Sequence, residues 1–256
     1  MISIKNKLSI QKMEVAGGLL SEILQAIGSM IKPGVSTAEL DRWIEGELLA
    51  RGLKSKTKGY MGYKHASCIS VNDEVVHGVP SDKKILKSGD LVKVDVCASW
   101  NGYCADMARA FFVGEATDER HRKLIEVAQS ALDKGIAQAR AGNKLSDISA
   151  AIQQEVEKHG FGVIRDFAGH GIGKQMHEDP EVLNYGKAGN GPVLRPGMAL
   201  ALEPMITLGH YDVYVTKDEW TVKTVDKSLA AHVEDTVIIT EHEPKITTRF
   251  RDGVGL

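Results

Sequence analysis

The stretch from 33 to 53 comes back 108 residues further along the chain. Gly34, Leu40, Ile44, Leu48 and Gly52 recur as Gly142, Ile148, Ile152, Val156 and Gly160, all at that one offset. Each copy is a glycine break, an apolar stripe at four-residue spacing and a closing glycine, which is how a helix that buries one face is written. Any two amphipathic helices share such a stripe; matched glycines at both breaks favour duplication. A longer helix precedes each copy. The first opens after Ser9 and carries Met13, Ala16, Leu20, Leu24 and Ile27; the second is capped by Thr117 and carries Leu124, Ala128, Leu132 and Ile136. Ser36 and Glu39 form a capping-box pattern that opens the helix after Gly34.

Both helix pairs lead into strand-like sequence. Segments 67–77, 91–98, 103–113, 198–206 and 231–240 are rich in valine, isoleucine and alternating residues. Helix, helix, strands, twice over, predicts an α+β fold in which helices cover one face of antiparallel sheet. The expected organisation is a single domain over 1–256, with internal halves at about 1–113 and 114–256 and a groove between them that can house a site. Hydrophobic residues make up 43% of the 256, enough for one sizeable core. The net charge of −2, from 32 basic and 34 acidic residues, gives no field that would gather nucleic acid or a membrane surface, and neither is expected as a partner. Cys68, Cys97 and Cys104 are odd in number and form no CxxC pair, so a reduced, cytoplasmic setting is expected rather than a disulfide framework. The opening MISIKNKLSI lacks the apolar run of a signal peptide, and no apolar run reaches the roughly 18 residues of a membrane span.

LVKVDVCASWNGYCADMARAF carries the first chemistry. Asn101-Gly102 signals a two-residue hairpin turn, which sets Asp95 opposite Ala108 and Asp106 opposite Cys97. Asp95 and Asp106 then share a face as diagonal neighbours, roughly 7–8 Å apart at the backbone. Val92, Val94 and Val96 take the other face. Two hairpin aspartates can simply face solvent; within an apolar strand, a buried carboxylate needs a partner, and a metal ion is one. Glu203 ends another apolar strand, sharing its face with Ala199 and Ala201 and stopped by Pro204. In AAHVEDTVIIT, Glu234 and Asp235 point to opposite faces; one should be exposed, and Glu234 is taken as the inward one although periodicity does not choose. His170 stands between Gly169 and Gly171 with Gly173 beyond, where the backbone can approach a site closely. His177 follows, ahead of Glu178-Asp179-Pro180; either histidine alone reads more readily as a surface loop residue. Together, four carboxylates and one imidazole make a hard donor set. It suits two five- or six-coordinate ions such as Mn²⁺, Fe²⁺, Co²⁺ or Zn²⁺, and is poor for a single tetrahedral structural zinc.

Taken with KPGVSTAELD, SCISVNDEVVHGVP, LVKVDV, GHGIG, MHEDP, ALEPM and EDTV, these residues make a sequence that resembles the methionine aminopeptidases of the shorter bacterial type, over essentially the whole chain. The resemblance implies the pita-bread fold, two pseudo-symmetric helix-helix-strand halves around a curved antiparallel sheet. It implies Asp95, Asp106, His170, Glu203 and Glu234 as ligands of two divalent ions, with Asp106 and Glu234 bridging them. Glu203, His177 and His77 become the catalytic group: Glu203 handles the proton, His177 meets the substrate carbonyl and His77 lines the substrate site. Tyr60, Tyr63, Cys68, Met176 and Trp220 fall where that family builds its methionine side-chain pocket. The activity implied is metal-dependent removal of the N-terminal methionine from nascent proteins and peptides, by a cytoplasmic monomer whose partners are peptides with a free N-terminal methionine and, through nascent chains, the ribosome. No basic patch argues for the ribosome independently. Met176 stands where an aromatic is usual, Lys64 where proline is common and His232 where glutamine is common. A proline-directed aminopeptidase of the same superfamily usually carries a further N-terminal domain; a non-catalytic relative acting as a binding module usually loses ligands, and all five are present here.

Overall fold

Two helix pairs frame the molecule. In the first half α1 (Lys7–Ile27) and α2 (Thr37–Ala50) lead into β1 (Lys54–Ser55), β2 (Cys68–Val71), β3 (Leu91–Trp100) and β4 (Tyr103–Phe112). In the second, α3 (Glu119–Gln138) and α4 (Leu145–Glu157) lead into β5 (Gly162–Val163), β6 (Gly169–Gly171), β7 (Glu178–Val182), β8 (Ala199–Leu202), β9 (Met205–Thr207), β10 (Val213–Val215), β11 (Val222–Thr224), β12 (Ala230–His232), β13 (Asp235–Ile238) and β14 (Lys245–Ile246). The computed structural model describes residues 1–249, so the last part of the expected second half, 250–256, lies outside the described residues. Among the described residues no helix is long and apolar enough to cross a membrane.

The repeat holds at the level of single hydrogen bonds. Gly34 N–H donates to Leu86 O at 2.9 Å, and Gly142 N–H donates to Leu194 O at 3.0 Å; Thr37 N–H reaches Lys84 O, and Leu145 N–H reaches Pro192 O, both at 3.0 Å. Each pair of bonds is related by the same 108 residues. Gly34 and Gly142 take φ of 91° and 94°, a left-handed conformation that favours glycine, which is why both breaks carry one. Helix starts differ slightly from expectation. Asn6 caps α1 by accepting from Ser9 N–H at 2.9 Å, so Ser9 lies inside the helix; Asp118 rather than Thr117 caps α3, accepting from His121 N–H at 2.9 Å. In both cases the better capping side chain wins by reaching the third amide of the first turn. Ser36 and Glu39 form the expected capping box, with bonds of 3.2 and 2.7 Å.

Every named strand pairing is antiparallel. β3 and β4 turn at Asn101 and Gly102, both at positive φ, and their register sets Asp95 opposite Ala108 and Cys97 opposite Asp106. Val92, Val94 and Val96 pack with Leu20, Ile23, Leu24 and Ile44 from α1 and α2. That leaves Asp95 and Cys97 on the other face. The second helix pair packs in the same way, Leu124, Leu132, Ile148 and Ile152 against Leu200, Leu202 and Val237. The halves join between β4 and β13: Ala108 and Glu234 exchange backbone hydrogen bonds of 3.4 and 3.0 Å. The Thr236 hydroxyl accepts from Asp106 N–H and donates to Asp106 O, both at 2.9 Å.

Three strands are shorter than their sequence suggests. The run 67–77 is strand only from Cys68 to Val71; 198–206 divides around Glu203-Pro204; 231–240 divides around Val233-Glu234. Pro204 cannot donate to a ladder, and Glu234 leaves its own sheet to pair across the seam with Ala108. Both interruptions therefore fall at glutamates. Asp235, expected to be exposed, is fully buried. It does point away from Glu234, but that side is covered by cations: its carboxylate accepts from Arg109 at 2.7 Å, Arg249 at 2.6 Å and the Thr248 hydroxyl at 2.8 Å. Removing one partner from a buried ion pair strands the other charges, so Asp235→Ala should lower unfolding free energy by roughly 3–5 kcal/mol. Urea unfolding of the two proteins measures this, and a loss under about 1 kcal/mol would show that solvent already screens the network.

Candidate metal centre

A cavity of about 580 Å³ opens at the seam, and all twelve side chains singled out in the sequence line it: Asp95, Asp106, His170, Glu203 and Glu234; His77 and His177; Tyr60, Tyr63, Cys68, Met176 and Trp220. They arrive on different elements. Asp95 and Asp106 come from the β3–β4 hairpin, His170 from β6, Glu203 from the β8–β9 break and Glu234 from the β12–β13 break. Asp95 and Glu203 stand 108 residues apart, so they are counterparts in the two halves. His170 is seated by close backbone approach. A Cβ on Gly169 would lie 2.4 Å from Ala201 O, and one on Gly171 would lie 2.0 Å from Asp179 O, so neither neighbour of the histidine can carry a side chain without pushing β6 away from β8 or β7.

The imidazole is oriented as well as placed. His170 Nδ1 lies 3.0 Å from Gly171 O; a carbonyl only accepts, so Nδ1 holds the proton and Nε2 keeps its lone pair. Nε2 faces carboxylates, 3.8 Å from Asp106 Oδ2 and 3.6 Å from Glu203 Oε1. Donor atoms of Asp106, His170 and Glu234 lie within 4.8 Å of one another, as do those of Glu203, His232 and Glu234.

Burial and mutual repulsion set the charge state. Burial, with the neighbouring Glu203 charge second, pushes the Asp106 carboxyl up to about 8, and burial pushes Glu203 up to about 8. Asp95 and Glu234 are driven well above the carboxylate range by burial and then by the charge of Asp106. The histidines move the other way. Burial holds His77, His170 and His232 down to about 4, so each is a neutral imidazole at physiological pH. Among the described residues, Asp106 Oδ1, Glu234 Oε1 and His232 Nε2 are buried with no hydrogen-bond partner. Each such atom costs on the order of 1–3 kcal/mol if nothing meets it. Several acids, neutral imidazoles and orphaned acceptors converging on one point, with no cationic side chain among them, fit a divalent cation and fit little else.

Aromatic and apolar side chains line much of the rest of the cavity, with Thr57, Glu178, Asp179 and Glu181 as further polar lining. The rings of Tyr63 and Trp220 meet edge to face at 4.9 Å, and those of His77 and Phe167 at 5.5 Å. His177 Nδ1 is 2.9 Å from the Tyr60 hydroxyl, and its ring meets that of His170 at 4.4 Å. Phe167, which lines the cavity, and His232, which lies beside Glu203, are not marked out by the sequence as site residues. Phe167 opens the glycine-rich stretch before His170, but an aromatic ahead of a loop carries no signal of what it will stack on. His232 stands out along the chain only as an unusual residue two places before Glu234; strand alternation puts those two on one face, and that is the available clue.

A curved α+β fold whose two halves bring buried acids and an imidazole together at their seam defines a class of hydrolases built around a metal site. Comparison with known families agrees: residues 11–241 match the model of metallopeptidase family M24, and the chain belongs to that family. A methionine aminopeptidase of Clostridium acetobutylicum is 48% identical over 248 residues, covering 97% of this chain and 99% of the relative. One of Escherichia coli is 42% identical over 252 residues, covering 98% and 95%. Among solved structures, the methionine aminopeptidase of Thermotoga maritima superposes with a TM-score of 0.96 at 44% identity, over 98% of this chain and all of that one. The prolidase of Pyrococcus furiosus superposes with a TM-score of 0.79 at 25% identity, over 97% of this chain but 66% of its own.

Proposed function

We propose that the protein, working as one catalytic domain, removes methionine from the N-terminus of peptides and nascent proteins by hydrolysing the first peptide bond. The observation that carries this is the meeting of four carboxylates and His170 in a cavity whose wall also brings together Tyr60, Tyr63, Cys68, Met176 and Trp220. Relatives at 42–48% identity over nearly the whole chain carry that activity in their names. Asp95, Asp106, His170, Glu203 and Glu234 would hold two ions drawn from Mn²⁺, Fe²⁺, Co²⁺ and Zn²⁺, with Asp106 and Glu234 the residues that would serve both. Bound there, the ions supply the Lewis acidity that makes water nucleophilic near neutral pH and polarises a carbonyl.

The chain's own groups do the rest. Glu203 takes the proton of the attacking water and hands it to the leaving amine, base first and acid second. The Tyr60 hydroxyl, donating to His177 Nδ1 across 2.9 Å, keeps the ring proton on Nε2, where it meets the negative oxygen of the tetrahedral intermediate. His77 directs the substrate backbone. Tyr60, Tyr63, Cys68, Met176 and Trp220 enclose the first side chain; an unbranched thioether fills such a pocket well, and each sulfur–aromatic contact adds about 0.3–1.5 kcal/mol. The substrate's cationic α-amine is drawn to the acidic end, which makes the enzyme an exopeptidase. In this reading it acts in the cytoplasm as a monomer on nascent chains at the ribosome.

A peptide panel tests the proposal: Met-Gly-x, Met-Ala-x, Leu-Ala-x and x-Pro peptides, each with Mn²⁺, Fe²⁺, Co²⁺ and Zn²⁺ in turn. Release confined to peptides beginning with methionine is expected. Preferred cleavage of x-Pro peptides, or full activity after exhaustive demetallation, would overturn it.

A further inference from the structure

We propose that His232 is a sixth protein ligand of this centre, a second imidazole beyond the five-residue set; the inference rests on the reading that metal ions occupy the site. His232 ends β12 and is only 1% exposed. Its Nε2 is buried and has no hydrogen-bond partner, although it lies 3.4 Å from Glu203 Oε2. It forms with Glu203 and Glu234 a group whose donor atoms lie within 4.8 Å of one another, a second constellation alongside that of Asp106, His170 and Glu234. Glu234 belongs to both, so the two imidazoles approach a shared carboxylate.

The fold explains how the residue got there. Ala108 and Glu234 face each other at the seam. Asp106 stands two residues before Ala108, and His232 two residues before Glu234, so each is projected onto the face of its seam residue. β3 pairs with β4 from Leu91 and Phe112, and β8 with β13 from Ala199 and Ile238; counting back along each returning strand brings Asp106 and His232 to equivalent positions. The first half thus offers a carboxylate where the second offers an imidazole. Four carboxylates with two imidazoles form a softer donor set than four with one, and imidazole suits Zn²⁺ and Fe²⁺ better than Mn²⁺.

The decisive measurement uses the intact protein with isotope-labelled histidine nitrogens, saturated with spin-active cadmium. Two ring nitrogens should show scalar coupling to the metal, and one coupling should vanish in His232→Gln while that of His170 stays. In the same variant, Zn²⁺ affinity measured by chelator competition should fall by about tenfold or more, with a smaller fall for Mn²⁺. A single coupled nitrogen in the parent overturns the inference and leaves the metal centre standing, and this result does not depend on the variant folding. Absence of both bound cadmium and coupling would instead sink the metal-centre reading itself.

Discussion

Glu203→Gln should cut the rate of methionine release from a Met-Gly-x peptide by a factor of roughly 10²–10⁴, the usual worth of a positioned acid–base group. Glutamine keeps the length of the side chain and one oxygen that can face a cation, but it can neither take a proton from water nor carry one to the amine. The site should survive the change. Glu203 is fixed through its backbone, whose carbonyl accepts from Asn184 Nδ2 at 3.0 Å, and through Pro204, which ends the ladder behind it. The loss should fall on kcat and leave KM nearly unchanged, because proton transfer belongs to the transition state rather than to substrate binding. Glu203 also faces His170 and His232, so metal content must be measured beside turnover. Loss of rate with both ions retained assigns the defect to the proton; loss of an ion assigns it to ligation. A variant working within about tenfold of the parent, fully metal-loaded, would end the assignment.

The elements legible in the sequence and those that are not differ in what determines them. The β3–β4 register is legible because Asn101 and Gly102 both adopt positive φ, and a two-residue turn leaves only one pairing. The duplication is legible because Gly34 and Gly142 are both placed by backbone conformation. Asp235 defeats the same kind of reasoning, because alternation tells which way a side chain points but not what covers that face; Arg109 and Arg249 come from distant stretches to meet it. The divisions of the strands at Glu203 and Glu234 depend on the seam, and a seam between halves has no local sequence signature. His232 is hidden for the same reason. Its neighbours are visible along the chain, but its nearness to Glu203 is created only when β12 pairs with β9 and sets His232 opposite Met205, two residues past Glu203.

Metal-free protein should lose stability as the pH rises from about 6.5 through 8, the reverse of ordinary acid denaturation. Asp106 and Glu203 are held up to about 8 in the folded chain, from ordinary values near 4, and burial with the neighbouring Asp106 charge drives Asp95 and Glu234 well above the ordinary carboxylate range too. Between the two limits the folded state binds more protons than the unfolded one. The stability these protons lend is complete below the unfolded values and is lost as pH climbs through the folded ones. His77, His170 and His232, lowered to about 4, have the opposite slope, but theirs ends near 6.5 where an unfolded histidine loses its proton. Lys93, buried and lowered to about 7, also opposes the acids, as one group against four. A tenfold difference in proton affinity between folded and unfolded chain is worth about 1.4 kcal/mol; with titrations shared across the cluster, the net loss is several kcal/mol. For a chain of this size that is roughly 10 °C in Tm. A divalent cation replaces the protons and cancels the repulsion, so its stabilisation should grow over the interval in which the metal-free protein weakens. Calorimetry at pH 6.5, 7.5 and 8.5, with and without Zn²⁺, reads both slopes. A metal-free Tm that stays level or rises would mean the acids are ionised and solvated; identical slopes with and without zinc would mean the ion sits elsewhere.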